Sequence, residues 1–164
     1  MCRNSSPKWN GKVCCVWNEF HRYRRLPRLR KRLLREALVA LALARIAMAC
    51  LPFRRIAAWL GTPGTETPPT ATRGQIRLAD RIGWAVGALA RRVPWDARCL
   101  AQALAATWML RRRGLEGTVS FGAGRGESRQ LLAHAWLRFG PRLVTGGAGH
   151  ERFKIFTTFA RKQA

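Results

Sequence analysis

PWDARCL, residues 94–100, places a cysteine in the first turn of a predicted helix, and AHAW, residues 133–136, places a histidine in a predicted strand. The unpaired N–H groups and partial positive charge at a helix amino terminus favour a thiolate there and stabilise an oxyanion beside it. A strand that packs on such a helix can hold an imidazole towards the thiol. We therefore predict Cys99 as a nucleophile and His134 as its general base, the alternative being two structural residues.

Acidic side chains that could orient the imidazole are scarce, since the chain has 8 Asp and Glu in all. Glu151 is the one acid that follows His134. Asp96 lies close to Cys99 in the sequence, but we expect it to cap the predicted helix or to lie beside its first turn. A third group normally holds the imidazole of such a site in its working tautomer. We predict Glu151 for this role, with a solvated turn residue as the alternative.

Net charge is the unusual property of the composition, because 31 Lys and Arg give a formal charge of +23. This charge predicts strong, salt-dependent attraction to an anionic partner, which could be nucleic acid, anionic lipid or an acidic peptide. No nucleic-acid recognition motif accompanies the basic runs, so nucleic acid is not the partner we expect. The 164 residues and 48% hydrophobic content suit one domain with its own core and exclude a wholly disordered basic protein.

Motifs for metals and cofactors are missing from the sequence. The 5 cysteines are irregularly spaced and include no Cys-x-x-Cys, which argues against a disulfide framework or a zinc cluster. There is no Gly-x-Ser-x-Gly, His-Glu-x-x-His or Walker pattern. The glycine-rich residues 122–126 are predicted between two strands, without the helix amino terminus that holds a phosphate, so we interpret them as a hairpin loop. We expect the chain itself to bind no metal and no cofactor.

Changes in hydrophobic period divide the chain into four parts. Residues 1–27 show no hydrophobic period, and we interpret them as a basic, disordered extension. We interpret residues 28–60 as a helical part, residues 61–75 as a Thr/Pro/Gly linker and residues 76–164 as the main core. The predicted helices are 28–51, 53–60, 76–93 and 97–113, and the predicted strands are 118–121, 131–139, 142–145 and 153–159. Helices followed by antiparallel hairpins are typical of the α+β class.

The apolar stretch 33–51 raises the question of a membrane. Arg35 and Glu36 lie near one end of it and Arg45 lies inside it. An Arg at the centre of a membrane costs about 2.5–3.5 kcal/mol, so we favour a helix buried in protein, with a spanning helix and a surface-lying helix as alternatives. Residues 1–25 lack the apolar stretch of a signal peptide, so we expect a cytoplasmic protein. Contact of the basic helix with the inner face of the membrane stays open.

Four segments together resemble one known family. They are VPWDARCL at 93–100, ALA at 103–105, MLRRRG at 109–114 and AHAWL at 133–137. In order and spacing they are similar to the lasso-peptide B proteins, which are transglutaminase-like leader peptidases. The similarity extends from about residue 30 to residue 159 and includes the glycine-rich tail.

The resemblance implies a transglutaminase/papain-like cysteine peptidase with an α+β fold, whose core would be residues 76–164. It would remove the leader of a ribosomally made lasso-peptide precursor before macrolactam cyclisation. Cys99 matches the family nucleophile and His134 the family base. The family triad ends in an Asp after the histidine, and residues 140–149 contain no acid. Glu151 or a backbone carbonyl would then take the third place.

The same resemblance implies partners. An asparagine-synthetase-like lasso cyclase would close the ring, and the ATP that the combined reaction needs would act on that cyclase. Leader recognition in the family is carried out by a small winged-helix-like domain, and residues 1–25 are too short to form one. We therefore expect a precursor peptide, a separate leader-binding protein and the cyclase as partners. Two alternatives remain, a transglutaminase-like acyltransferase and a non-catalytic basic scaffold that docks a precursor or a membrane.

Overall fold

A computed structural model describes residues 27–125 and 130–161 of the chain. Apart from residue 27, the predicted basic extension lies outside the described residues. The elements, in chain order, are helices α1 (Arg28–Cys50) and α2 (Phe53–Leu60), strand β1 (Thr62–Pro63), helices α3 (Arg73–Ala90) and α4 (Cys99–Arg111), strands β2 (Thr118–Arg125), β3 (Leu131–Phe139) and β4 (Arg142–Thr145), a 3-10 turn at His150–Arg152, and β5 (Lys154–Ala160).

The strands form one antiparallel sheet in the order β1-β5-β2-β3-β4. Strands β2 and β3 form a long hairpin that pairs Thr118 with Arg138 at one end and Arg125 with Leu131 at the other. The predicted α+β class is therefore confirmed. Because successive residues of a strand point to opposite faces, Ala135 and Leu137 share one face of β3 and His134 and Trp136 share the other.

Helix α4 lies at the centre of the core and packs against α1, α3, β3 and β4. Its alanines at 101, 103, 105 and 106 are buried, which lets the neighbouring elements approach closely. The same core includes Ala135 and Leu137 of β3. Trp136 is also buried, but it lies outside this core. The helices therefore cover the Ala135/Leu137 face of β3.

The segment 61–75, predicted as a plain linker, instead contributes to the sheet. Thr62 and Pro63 pair with the end of β5. Thr67 is buried, and its N–H donates to Thr118 Oγ1 over 2.8 Å. At its end, Thr72 forms a capping box with Gln75, so α3 begins at Arg73 rather than at residue 76.

Arg111 joins the carboxyl ends of α2 and α4. Its guanidinium donates to the carbonyls of Trp59 and Leu60, at 2.6 Å each, and to Glu116 over 3.0 Å. The group also lies over the Trp59 ring. Burial lowers the pKa of Arg111, and the neighbouring Glu116 acts in the opposite direction. The arrangement ties the carboxyl ends of α2 and α4 to Glu116, in the segment that leads into β2.

Within the described residues, no helix combines the length and apolarity needed to cross a membrane.

Candidate active site

Cys99 is the first residue of α4 and is half-buried against the core. The first bond of the helix runs from the Gln102 N–H to the Arg98 carbonyl, so the N–H groups of the preceding helical residues point out of the helix end. The residue at the cap position, Arg98, makes no side-chain cap. Of the two places predicted for Asp96, the cap is wrong, because its carboxylate accepts from Arg98 Nε over 3.0 Å instead. The helix end beside the thiol therefore keeps its backbone donors.

His134 lies in β3 between two aromatic rings. Its imidazole stacks on Trp136, with ring centroids 5.6 Å apart, and lies 4.9 Å from the ring of Phe153. Nε2 is 2.8 Å from the carbonyl oxygen of Gly146. A carbonyl oxygen can only accept, so Nε2 carries the proton and Nδ1 carries the lone pair of the neutral ring. Nδ1 makes no hydrogen bond to any residue that the structure describes, and this is the nitrogen that a general base needs to have available.

Gly146 can approach His134 only because it has no side chain. Its φ is +71°. A Cβ at this position would lie 2.6 Å from the carbonyl oxygen of Ala135 and 2.9 Å from the Cβ of Trp136. The backbone that follows β4 therefore passes close against β3, and this close approach puts the Gly146 carbonyl beside the imidazole.

Two glycines of β2 make room for the aromatic rings around His134. A Cβ on Gly122 would lie 2.7 Å from the Trp136 ring, and one on Gly124 would lie 3.1 Å from the Phe153 ring. The expected hairpin loop at 122–126 is therefore wrong for residues 122–125, which continue β2. The sequence did contain a signal for this, because glycines two positions apart share one face of a strand.

Glu151, the predicted orienting acid, forms no hydrogen bond or ion pair with His134. Its carboxylate lies 3.2 Å from His150 Nδ1, and its side chain is 72% exposed. His150 Nδ1 also lies 2.7 Å from the Gly147 carbonyl, and the His150 ring meets the Trp136 ring edge-on at 5.9 Å. The short turn at His150–Arg152 holds the Glu151 side chain towards solvent, so the group that bonds His134 is the Gly146 carbonyl.

Cys99 and His134 lie on elements that pack against each other, α4 and β3, but no hydrogen bond joins their side chains. Cys99 contacts the helix-lined core, whereas His134 stacks on Trp136 on the other face of β3. Proton transfer needs the thiol and an imidazole nitrogen at hydrogen-bonding distance, and the structure does not bring these two predicted residues together at that distance.

The sequence was compared with known protein families, curated proteins and solved structures. The sequence model of the transglutaminase-like superfamily matches residues 44–158, more than two thirds of the chain. The chain belongs to the transglutaminase-like superfamily. No curated protein and no solved structure matches it. The superfamily covers cysteine peptidases and acyltransferases, two reactions that share a cysteine thioester.

The match to the superfamily includes Cys99, His134, Gly146 and Glu151, whereas most of α1 lies before it. A transglutaminase-like site needs a thiol, a base and donors for an oxyanion. The chain offers these as Cys99, His134 and the amino terminus of α4. The candidate site therefore consists of Cys99 at the helix end and His134 with its Gly146 contact.

Proposed function

We propose that this protein is a cysteine peptidase that removes the leader from a ribosomally made lasso-peptide precursor before macrolactam cyclisation. One observation carries the proposal: Cys99 begins a helix that packs against the strand of His134, and the Gly146 carbonyl holds His134 with Nδ1 available. Membership of the transglutaminase-like superfamily supports a reaction that passes through a cysteine thioester. The narrower assignment to leader removal rests on the resemblance of residues 93–137 to the lasso-peptide B proteins.

The proposed reaction requires Cys99 Sγ and His134 Nδ1 to come within hydrogen-bonding distance. Nδ1 then takes the thiol proton as Sγ attacks the carbonyl carbon of the last leader residue. The backbone N–H groups at the start of α4 donate to the oxyanion. The imidazolium then protonates the leaving amine, so the core peptide departs with a free amino terminus. Water, deprotonated by His134, hydrolyses the thioester and releases the leader as a carboxylate. The free amine is the group that a macrolactam-forming enzyme requires.

In the proposed site a backbone carbonyl, rather than a carboxylate, is the third group beside the cysteine and the histidine. The Gly146 carbonyl fixes the tautomer and the ring orientation of His134, as a carboxylate would, but it offers a dipole instead of a full negative charge. We propose Gly146 as the positioning residue through its carbonyl, in place of Glu151.

The proposed function requires other molecules. A leader-binding protein would present the precursor to this chain, and an asparagine-synthetase-like lasso cyclase would use the product. No cofactor is proposed for the chain itself, and ATP would act on the cyclase. These partners follow from the resemblance and are part of the proposal.

The fate of the acyl group tests the proposal. A candidate precursor is incubated with its leader-binding partner and this protein, with and without an added primary amine, and the products are weighed by mass spectrometry. Free leader carboxylate under both conditions supports a peptidase. Leader found only as its amide would contradict peptidase action and identify a transglutaminase-like acyltransferase, the other reaction that the superfamily covers.

A further inference from the structure

An exposed stripe runs the length of α1, opposite the side that packs in the core. Its members are spaced three or four residues apart and are all exposed: Arg28, Arg32, Arg35, Val39, Leu43, Ile46 and Cys50. We call this set the α1 ridge. At about 1.5 Å per residue the ridge is about 33 Å long. Its first half is cationic and its second half is apolar, so the two kinds of surface follow each other along one helix face.

More apolar side chains extend the second half of the ridge towards α2. Leu51, which follows α1, and Phe53, the first residue of α2, are exposed like Leu43 and Ile46. An apolar cavity of about 230 Å³ opens beside them, and Leu43, Leu51 and Trp59 line it. A soluble protein seldom leaves so continuous an apolar surface uncovered unless something binds there.

Cations surround this apolar surface, and the acid near it is already paired. Arg45, Arg54 and Arg55 are exposed around it. Between residues 28 and 60 the sequence has one acid, Glu36. Arg113 donates to both oxygens of Glu36, at 2.9 and 2.6 Å. The surface therefore offers an apolar centre with a positive surround, which is complementary to an anionic partner that has an apolar interior.

We propose that the α1 ridge docks on the surface of an anionic lipid bilayer, with Val39, Leu43 and Ile46 among the acyl chains and the arginines at the phosphates. Basic side chains at an anionic bilayer each contribute about 1 kcal/mol, and apolar side chains add the free energy of leaving water. A second copy of this chain would be an unfavourable occupant, because each copy carries a formal charge of +23. Docking of this kind is independent of the proposed peptidase activity, since no ridge residue belongs to the candidate site.

A pair of matched isoleucines tests the proposal. Ile46, on the ridge, is 57% exposed, and Ile155, on β5, is 52% exposed. The full chain and its Ile46→Ser and Ile155→Ser variants are sedimented with vesicles of phosphatidylcholine alone or with about one-third phosphatidylglycerol. We expect the full chain to bind the anionic vesicles, Ile46→Ser to bind them about tenfold more weakly, and Ile155→Ser to bind like the parent. Unchanged melting temperatures would show that both variants are folded.

A second variant tests the contribution of the cationic half of the α1 ridge. Replacing Arg28, Arg32 and Arg35 together by Gln is expected to weaken binding to the anionic vesicles about 100-fold. Equal binding by Ile46→Ser and Ile155→Ser would overturn the proposal, because net charge alone would then account for the attraction. Failure of the full chain to bind anionic vesicles would also overturn it and would leave the ridge to a protein partner.

Discussion

Gly146 contacts His134 through an atom that every residue has, its carbonyl oxygen, yet only glycine fits at this position. Its φ of +71° is a backbone conformation that residues with a side chain rarely adopt. In addition, a Cβ at this position would lie 2.6 Å from the Ala135 carbonyl oxygen. We expect Gly146→Ala to lower the free energy of unfolding by about 2 kcal/mol and to reduce turnover beyond that loss, because the carbonyl moves away from His134. Chemical denaturation and steady-state rates of the variant measure the two effects.

A control separates lost stability from lost orientation of the imidazole. Gly149 also has a positive φ, +72°, but a Cβ there meets only the flexible end of Arg152, at 3.8 Å. The Gly149→Ala variant should therefore lose stability because of the positive φ, while it keeps the hydrogen bond between His134 and the Gly146 carbonyl. Equal turnover by the Gly146 and Gly149 variants at matched folded fractions would remove Gly146 from the positioning role.

The reactivities of Cys99 and Cys50 test whether the amino terminus of α4 activates the Cys99 thiol. Cys50 is exposed at the end of α1, and Cys99 is half-buried at the start of α4. Exposure alone predicts faster alkylation of Cys50. The sequence predicts a reactive Cys99 at the amino terminus of α4, so we expect iodoacetamide to modify Cys99 faster near neutral pH. Peptide mapping at timed intervals measures both rates, and a faster Cys50 would exclude activation by the helix end.

The candidate residues were predictable to different degrees. Cys99 and His134 stand out because a thiol at a helix start and an imidazole in a strand are chemical signals that the sequence displays. A backbone carbonyl was one of the two orienting groups predicted for His134. Which residue supplies it was not predictable, since every residue has a carbonyl and only the close approach of Gly146 to β3 selects this one. Glu151 was the sole acid after His134, but its place in a short turn directs it to His150.

Helix α3 approaches β4 so closely that one of its glycines has no room for a methyl group. A Cβ on Gly83 would overlap the Val144 carbonyl, whereas one on Gly87 would have only the end of Arg91 nearby, at 3.9 Å. We expect Gly83→Ala to destabilise the protein by about 1–3 kcal/mol and Gly87→Ala to stabilise it by up to about 1 kcal/mol. Thermal unfolding of both variants tests this, and a Gly83→Ala variant as stable as Gly87→Ala would argue against the close packing of α3 on β4.

Arg111 and Arg112 are adjacent in sequence and differ in burial. Arg111 donates to two carbonyls and to Glu116, whereas Arg112 is exposed and lies 3.7 Å from Glu36. A lysine cannot reach the three acceptors of Arg111 at once. Arg111→Lys should therefore cost about 1–3 kcal/mol of unfolding free energy and Arg112→Lys less than about 0.5 kcal/mol. Similar values for the two in urea unfolding would contradict this.

The elements were largely predictable because their signals are periodic. The apolar spacing gave all four helices to within three residues at each end, and the turn glycines separated the four longer strands. Strand β1 was missed because it has two residues, one of them a proline, and its partner β5 lies far along the chain. The start of α3 was missed although Thr72 and Gln75 have capping-box spacing.

At the scale of the molecule, the structure explains where the formal charge of +23 is used and where it remains exposed. Arg111, Arg113 and Arg138 are engaged by carboxylates and carbonyls, and so they hold elements together. The arginines of the α1 ridge face solvent instead. Composition alone could not divide the cations in this way, since the division depends on which side of each helix meets the core.

The comparison of Cys99→Ala with Cys50→Ala in precursor cleavage is the most direct test of the catalytic assignment. Each variant is incubated with a candidate precursor and its leader-binding partner, and the released core peptide is quantified by mass spectrometry beside the parent protein. We predict parental cleavage by Cys50→Ala and a loss of roughly 10⁴-fold or more by Cys99→Ala, with both variants folded. Cleavage by Cys99→Ala at the parental rate would contradict the account.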